Sequence, residues 1–182
     1  PKRTNSGSSY RIGLEIESSI NISELFSFET NLTLSSNKNK NIFSMVDGEL
    51  YNYGKTNISF SPSFIGSNAI IYQPSEKISL SLLSKFVGKQ YMGNTDQPNS
   101  ILESYFVNDL NITYSLQPEK IFQSITINFL INNIFNKEYI SNGYYYTYDD
   151  TWSFPGQIKT LDGAGYYPQA TRNFLAGLVF EF

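Results

Sequence analysis

From Arg11 onward, apolar residues fall on alternate positions. Ile12, Leu14, Ile16 and Ile20 stand at even numbers, with Arg11, Gly13, Glu15, Glu17 and Ser19 between them. A period of two places the two sets on opposite faces of a β-strand. The pattern repeats with Phe26, Phe28, Leu32 and Leu34 against Ser27, Glu29, Asn31, Thr33 and Ser35. Only residues 21–24 separate the runs, which predicts a hairpin. Further strands are predicted over 68–73, 78–92, 102–116 and 121–133, and a last one carries Phe174, Leu178, Phe180 and Phe182 in one register. Pro74-Ser75-Glu76 and residues 117–120 read as tight turns, and 93–100 as a loop of medium length. Residues 36–66 and 134–168 show no sustained pattern and read as long loops, the first with a short strand at 57–61.

Connections therefore alternate between short and longer ones, and the runs, at roughly 11 to 15 residues, exceed the usual strand length. Both features fit strands that cross a bilayer at a tilt, with short turns on one side and long loops on the other. Lipid offers no hydrogen-bond partner, so such a sheet leaves no edge there only by closing. The fold class expected is all-β: an antiparallel transmembrane β-barrel segment. Seven strands are read, an odd number and fewer than the smallest bacterial barrels have, so more strands are expected on the N-terminal side.

Composition narrows the function. Cys and His are both absent, which removes thiolate and imidazole metal sites, disulfides and any nucleophile–His pair. No acid, base and nucleophile can be assembled, so no enzyme, cofactor or resident metal is expected. A net charge of −3 leaves no basic footprint for nucleic acid. Mean hydropathy is −0.29, and no run is long and apolar enough for a spanning helix. A barrel stays compatible with that value, because lipid meets only every second residue. Residue 1 is Pro, and PKRTNSGSSY has no apolar stretch of signal-peptide type, so the chain is read as a piece of something longer or a processed product.

Five stretches carry a family resemblance: YRIGLEIE (10–17), KFVGKQYMGNT (85–95), YFVNDLNITYSL (105–116), INNIFNKEY (131–139) and GYYPQATRNF (165–174). In order and spacing they resemble the C-terminal part of the β-barrel of a TonB-dependent outer-membrane receptor of the Bacteroidetes type, over residues 1–182. The resemblance implies a 22-stranded barrel of which this chain supplies about 7–8 strands. The plug domain and the N-terminal strands are not in the sequence. It further implies the outer membrane of a Gram-negative bacterium and TonB-energised uptake of a scarce nutrient, a ferric chelate or siderophore by preference. Implied partners are outer-membrane lipid, the remainder of the receptor chain, the TonB complex through the plug, and the barrel assembly machinery. A surface lipoprotein accompanies related glycan importers, although no residue here points to one. Gly177, Phe180 and Phe182 resemble the signal that the assembly machinery recognises, with Leu175 departing from its fullest form.

The candidate ligand contacts are Tyr144, Tyr145, Tyr146, Tyr148, Asp149, Asp150 and Trp152, since Tyr and Trp give large contact area at low entropic cost. An interfacial aromatic girdle with self-packing of the loop is the plainer reading of the same residues and is preferred. Asp149 and Asp150 would point to opposite faces of a strand, so a solvated pair is expected rather than a metal or acid–base site. Glu15, Glu17, Glu29, Lys85, Lys89, Glu103 and Asp109 share the polar parity and should line the lumen. Asn132 and Asn133 read as loop-entry residues, and Arg172 as a headgroup contact. Two other readings stay open: a small passive or structural barrel with an eighth strand within 55–64, and a soluble β-sandwich binding module.

Overall fold

The structure is a computed structural model that describes residues 7–118 and 121–182. Its strands are β1 (Ser8–Asn21), β2 (Phe26–Val46), β3 (Glu49–Asn57), β4 (Phe64–Ser75), β5 (Ile78–Val87), β6 (Gln90–Tyr91), β7 (Ile101–Leu102), β8 (Tyr105–Leu116), β9 (Ser124–Asn132), β10 (Ile140–Asp150), β11 (Lys159–Pro168) and β12 (Asn173–Glu181). One antiparallel sheet runs β1-β2-β4-β5-β8-β9-β12, and β3 joins it on β2. Small pairs β10-β11 and β6-β7 stand apart. Among the described residues no helix is long and apolar enough to cross a membrane, which leaves strand crossings untouched.

The wall strands are those the alternation predicts, and their register turns alternation into faces. Ile16 lies opposite Leu32, Phe28 opposite Ile70, Ile70 opposite Leu82, and Leu82 opposite Leu110. The row continues from Leu110 to Ile131 and on to Phe174. Directly opposed residues share a face, so one face of the whole sheet is apolar. It is also open: Ile12, Leu14, Leu34, Phe174 and Leu178 are each more than half exposed. The other face carries Glu15, Glu17, Glu29, Lys85 and Asp109, as the parity predicts. Short connections after β1, β4 and β8 gather at one end, the turn end. Long ones gather at the other, the loop end.

Several expectations are corrected. Residues 36–66 are not an unstructured loop: β2 runs for 21 residues to Val46 and returns as β3. Asp47 and Gly48 make the turn with φ of 52° and 81°, the left-handed backbone a two-residue hairpin loop needs. The short strand expected at 57–61 is absent, because β3 ends at Asn57. The eighth strand that the small-barrel alternative places within 55–64 is replaced by β3, which pairs with the far half of β2 rather than adding a wall crossing. Residues 134–168 contain the β10-β11 hairpin. The run 78–92 stops at Val87, and 102–116 is interrupted at Glu103 and Ser104, so Lys89 and Glu103 lie outside the wall strands. The strand expected from residue 121 begins at Ser124. Of the expected turn 117–120, Glu119 and Lys120 lie outside the described residues.

Candidate ligand-binding surface

Three connections meet at the loop end. The tip of the β2-β3 hairpin is latched to β11. Asp47 accepts from the Thr160 amide at 2.8 Å and from Lys159 Nζ at 2.9 Å, while its own amide donates to Thr160 Oγ1 at 2.8 Å. The base of β3 is tied to the β6-β7 loop: Asp96 accepts from the Asn57 amide and side chain, both at 2.9 Å, and Thr56 Oγ1 donates to the Asn94 carbonyl at 2.6 Å. The same loop holds the β10-β11 hairpin. Tyr166 Oη donates to the Asn99 carbonyl at 3.0 Å, and the Asn99 side chain donates to Asp162 at 3.2 Å. Each link removes freedom from a segment with little apolar core of its own.

The hairpin sorts the predicted residues by parity. Tyr145 faces the β6-β7 loop: its hydroxyl donates to Asp162 at 3.2 Å, and its ring lies against Gly93, where a Cβ would meet it at 2.8 Å. Burial, reinforced by the Asp162 charge, pushes the Tyr145 phenol up to about 12. Tyr144, Tyr146 and Tyr148 take the opposite face and are each half exposed. Their ring centroids are 6.2 and 6.3 Å apart, at interplanar angles of 22° and 27°. Gly165 lies opposite Tyr144 and Gly163 opposite Tyr146. A Cβ at Gly165 would come within 2.4 Å of the Tyr144 ring, and one at Gly163 within 2.7 Å of Tyr146. The missing side chains thus let the rings lie down across the neighbouring strand and form a pavement of aromatic faces. Tyr167 extends it, 6.0 Å from Tyr144.

The two aspartates separate, as adjacent strand residues must. Asp149 accepts from Thr160 Oγ1 at 2.8 Å, which joins it to the Asp47 latch. Asp150 ends the strand by accepting from the amides of Trp152 at 2.9 Å and Ser153 at 3.1 Å, and these bonds hold its carboxyl below the usual range. Trp152 is 90% exposed at the tip and does not join the pavement. Beside the hairpin base, a cavity of about 700 Å³ is lined by Tyr105, Tyr139, Tyr166, Glu103, Lys137 and Glu138. The polar wall face holds a second depression of about 610 Å³, lined by Glu17, Glu29, Asn31, Lys85 and Asp109 among others. Among the described residues no three acidic side chains converge as metal ligands. At the chain end Phe180 and Phe182 pack on Phe122, with centroids 5.3 and 5.0 Å away, while a Cβ at Gly177 would meet nothing.

Sequence reasoning missed the Asp47 latch, the two glycines beneath the tyrosines, and Phe122. The Asp-Gly pair at 47–48 was a usable hairpin signal. The Gly-x-Gly of 163–165 acquires meaning only once β10 is known to lie opposite it.

No protein-family model matches the chain, and no curated protein matches it. Solved structures do. It is similar to the siderophore receptor PiuA from Acinetobacter baumannii at a TM-score of 0.64 and 16% identity, over 93% of this chain and 22% of that one. It is similar to the ferric yersiniabactin uptake receptor FyuA from Yersinia pestis at 0.65 and 14%, over 98% and 24%. The closed form of the ferric-catecholate import receptor Fiu from E. coli K12 gives 0.61 and 16%, over 92% and 20%. The chain thus spans about a quarter or less of the length of these receptors, and at these identities the likeness is one of fold: an antiparallel β-barrel wall segment of the kind found in siderophore import receptors.

Proposed function

We propose that the chain is the C-terminal wall segment of a TonB-dependent outer-membrane receptor that imports a scarce nutrient, a ferric chelate by preference. One observation carries the reading. A wall of seven strands has an open apolar face, a polar face and interlocked hairpins at one end only, and the chain overlays siderophore import receptors along nearly its whole length. Such a face is stable against lipid, where each outward apolar side chain stays out of water. The polar face then lines the lumen, and the loop end lies outside the cell.

Within that receptor the β10-β11 hairpin contributes ligand contacts. Tyr144, Tyr146 and Tyr148 offer ring faces to flat or apolar parts of a chelate, and Tyr145 holds the hairpin on its neighbours. Glu17, Glu29, Lys85 and Asp109 meet water or the plug supplied by the rest of the receptor. Gly177, Phe180 and Phe182 serve barrel assembly. The Bacteroidetes-type origin rests on the sequence resemblance alone.

The test has two readouts. A peptide ending at Lys159 is used to detect the native polypeptide in the outer-membrane fraction, and uptake of ferric chelates is measured in iron-starved cells with and without it. A mass several times 20.7 kDa with loss of chelate uptake on deletion is expected. A membrane polypeptide near 20.7 kDa would sink the large-receptor reading.

A further inference from the structure

We propose that Lys38, Lys40 and Lys55 form a site for the phosphate groups of an anionic lipid in the outer leaflet. The inference rests on the outer-membrane reading above. Lys40 lies opposite Ser8 and Lys38 opposite Tyr10, and the next pairs toward the turn end are Ile12 with Ser36, Leu14 with Leu34 and Ile16 with Leu32. Lys38, Lys40 and Tyr10 therefore share the apolar face and stand just beyond its last apolar rungs. From the Leu14–Leu34 rung to the Tyr10–Lys38 rung is four residues, ~13 Å along a strand and less in height after tilt. That height is headgroup depth rather than open water.

Side chains complete the cluster. The ammonium groups of Lys40 and Lys55 each stand 5.4 Å from the centre of the Tyr10 ring, so Lys55 on β3 reaches the same patch. Lys38 Nζ donates to Asn57 Oδ1 at 2.5 Å, and Asp96 is engaged by the Asn57 amide and side chain rather than by a lysine. The one ion pair among the described residues is Lys159 with Asp47, so none of the three lysines has a carboxylate partner there. Every carboxylate in the seven wall strands has the inward parity: Glu15, Glu17, Glu29, Asp109 and Glu181. Two ammonium groups over one ring and a third on the residue opposite it, none ion-paired with a carboxylate, form an electrostatically incomplete site, because a ring face compensates only part of their mutual repulsion.

A phosphate oxygen completes it with charge-assisted hydrogen bonds. The occupant is a lipid rather than a free anion because the cluster continues into Ile12, Leu14 and Leu34, exposed at 68%, 58% and 53%, along which acyl chains can lie. Basic side chains above an apolar surface, with their stems lying on it, are the arrangement that recognises anionic headgroups.

The experiment uses the full-length receptor that carries this chain, purified in mild detergent, with native mass spectrometry as readout. The probes are bisphosphorylated lipid A, its monophosphorylated form and inorganic phosphate. Retention of the bisphosphorylated lipid should fall about fivefold for Lys40→Gln or Lys55→Gln alone and about a hundredfold for Lys38→Gln/Lys40→Gln/Lys55→Gln. Lys77→Gln, at the turn end, should retain lipid as the parent does. The triple Lys→Arg variant should also retain it, which separates charge from folding. Equal retention by the parent and the Gln variants in a membrane-embedded receptor overturns the lipid site alone. Displacement of the lipid by an equal concentration of inorganic phosphate overturns it in favour of a free-anion site. Release of the receptor from membranes by alkaline extraction overturns both this site and the receptor reading.

Discussion

Asp47 shows how much one side chain can do at a hairpin tip. It accepts from Lys159 and from the Thr160 amide, and these contacts, the Lys159 hydrogen bond foremost, hold its carboxyl below the ordinary value. A depressed carboxyl stabilises the fold above its unfolded-state value and loses that contribution as pH falls through the folded value. Asp47→Asn should therefore speed Thr160 amide exchange at neutral pH, and the gap between variant and parent should close in acid below the ordinary carboxylate range. Tyr145 behaves oppositely. Its phenol is pushed up to about 12, so its contribution is intact below the ordinary tyrosine value and declines as pH rises from there. Difference spectra between parent and Tyr145→Phe should place its ionisation above that of the exposed tyrosines. Gly165→Val sets a side chain where the Tyr144 ring lies, so the ring must lift. Chelate affinity should fall severalfold while the receptor still inserts; unchanged affinity would remove the pavement from the binding surface. Little of this was legible in sequence. The tyrosines stood out by number, but which ones share a face, and what lies beneath them, depends on the β10-β11 register.

At the level of elements, alternation decides where a charge can go. Ile16 lies on the apolar face opposite Leu32, and Glu15 on the polar face opposite Thr33. On the membrane reading Ile16→Arg should cost about 2–4 kcal/mol of folding free energy in lipid vesicles, and Glu15→Arg close to nothing. Equal effects would mean that the two faces do not meet different solvents. The seven wall strands could be read from sequence for this reason: on the membrane reading, lipid on one side and water on the other force a period of two. The far half of β2, with β3, β10 and β11, could not. On the membrane reading those strands lie beyond the hydrocarbon layer, so nothing compels alternation, and SNKNKNIFSMV and GYYYTYDD look like loops although both are strands. Breaks after Val87 and before Tyr105 escaped notice because the apolar pattern runs on through Met92 and from Leu102, into a loop that packs on the hairpin.

The whole molecule is an open wall with one decorated end. The described wall strands form a single sheet bounded by β1 and β12, and the loop-end hairpins and loop are cross-linked through Asp47, Asp96, Asn99 and Asp162. Hairpins joined in this way should move together, so loosening one link should raise amide exchange in its neighbours as well. The claim on which everything depends is that the two ends of the wall lie on opposite sides of an outer membrane. The chain contains no cysteine, so single cysteines can be placed cleanly within it. Trp152→Cys marks the loop end and Glu76→Cys the turn end, in the full-length receptor, with a membrane-impermeant maleimide applied to intact cells. Position 152 should be labelled in intact cells, and position 76 only after the outer membrane is permeabilised. Equal labelling of both in intact cells, or the reverse order, would overturn this topology.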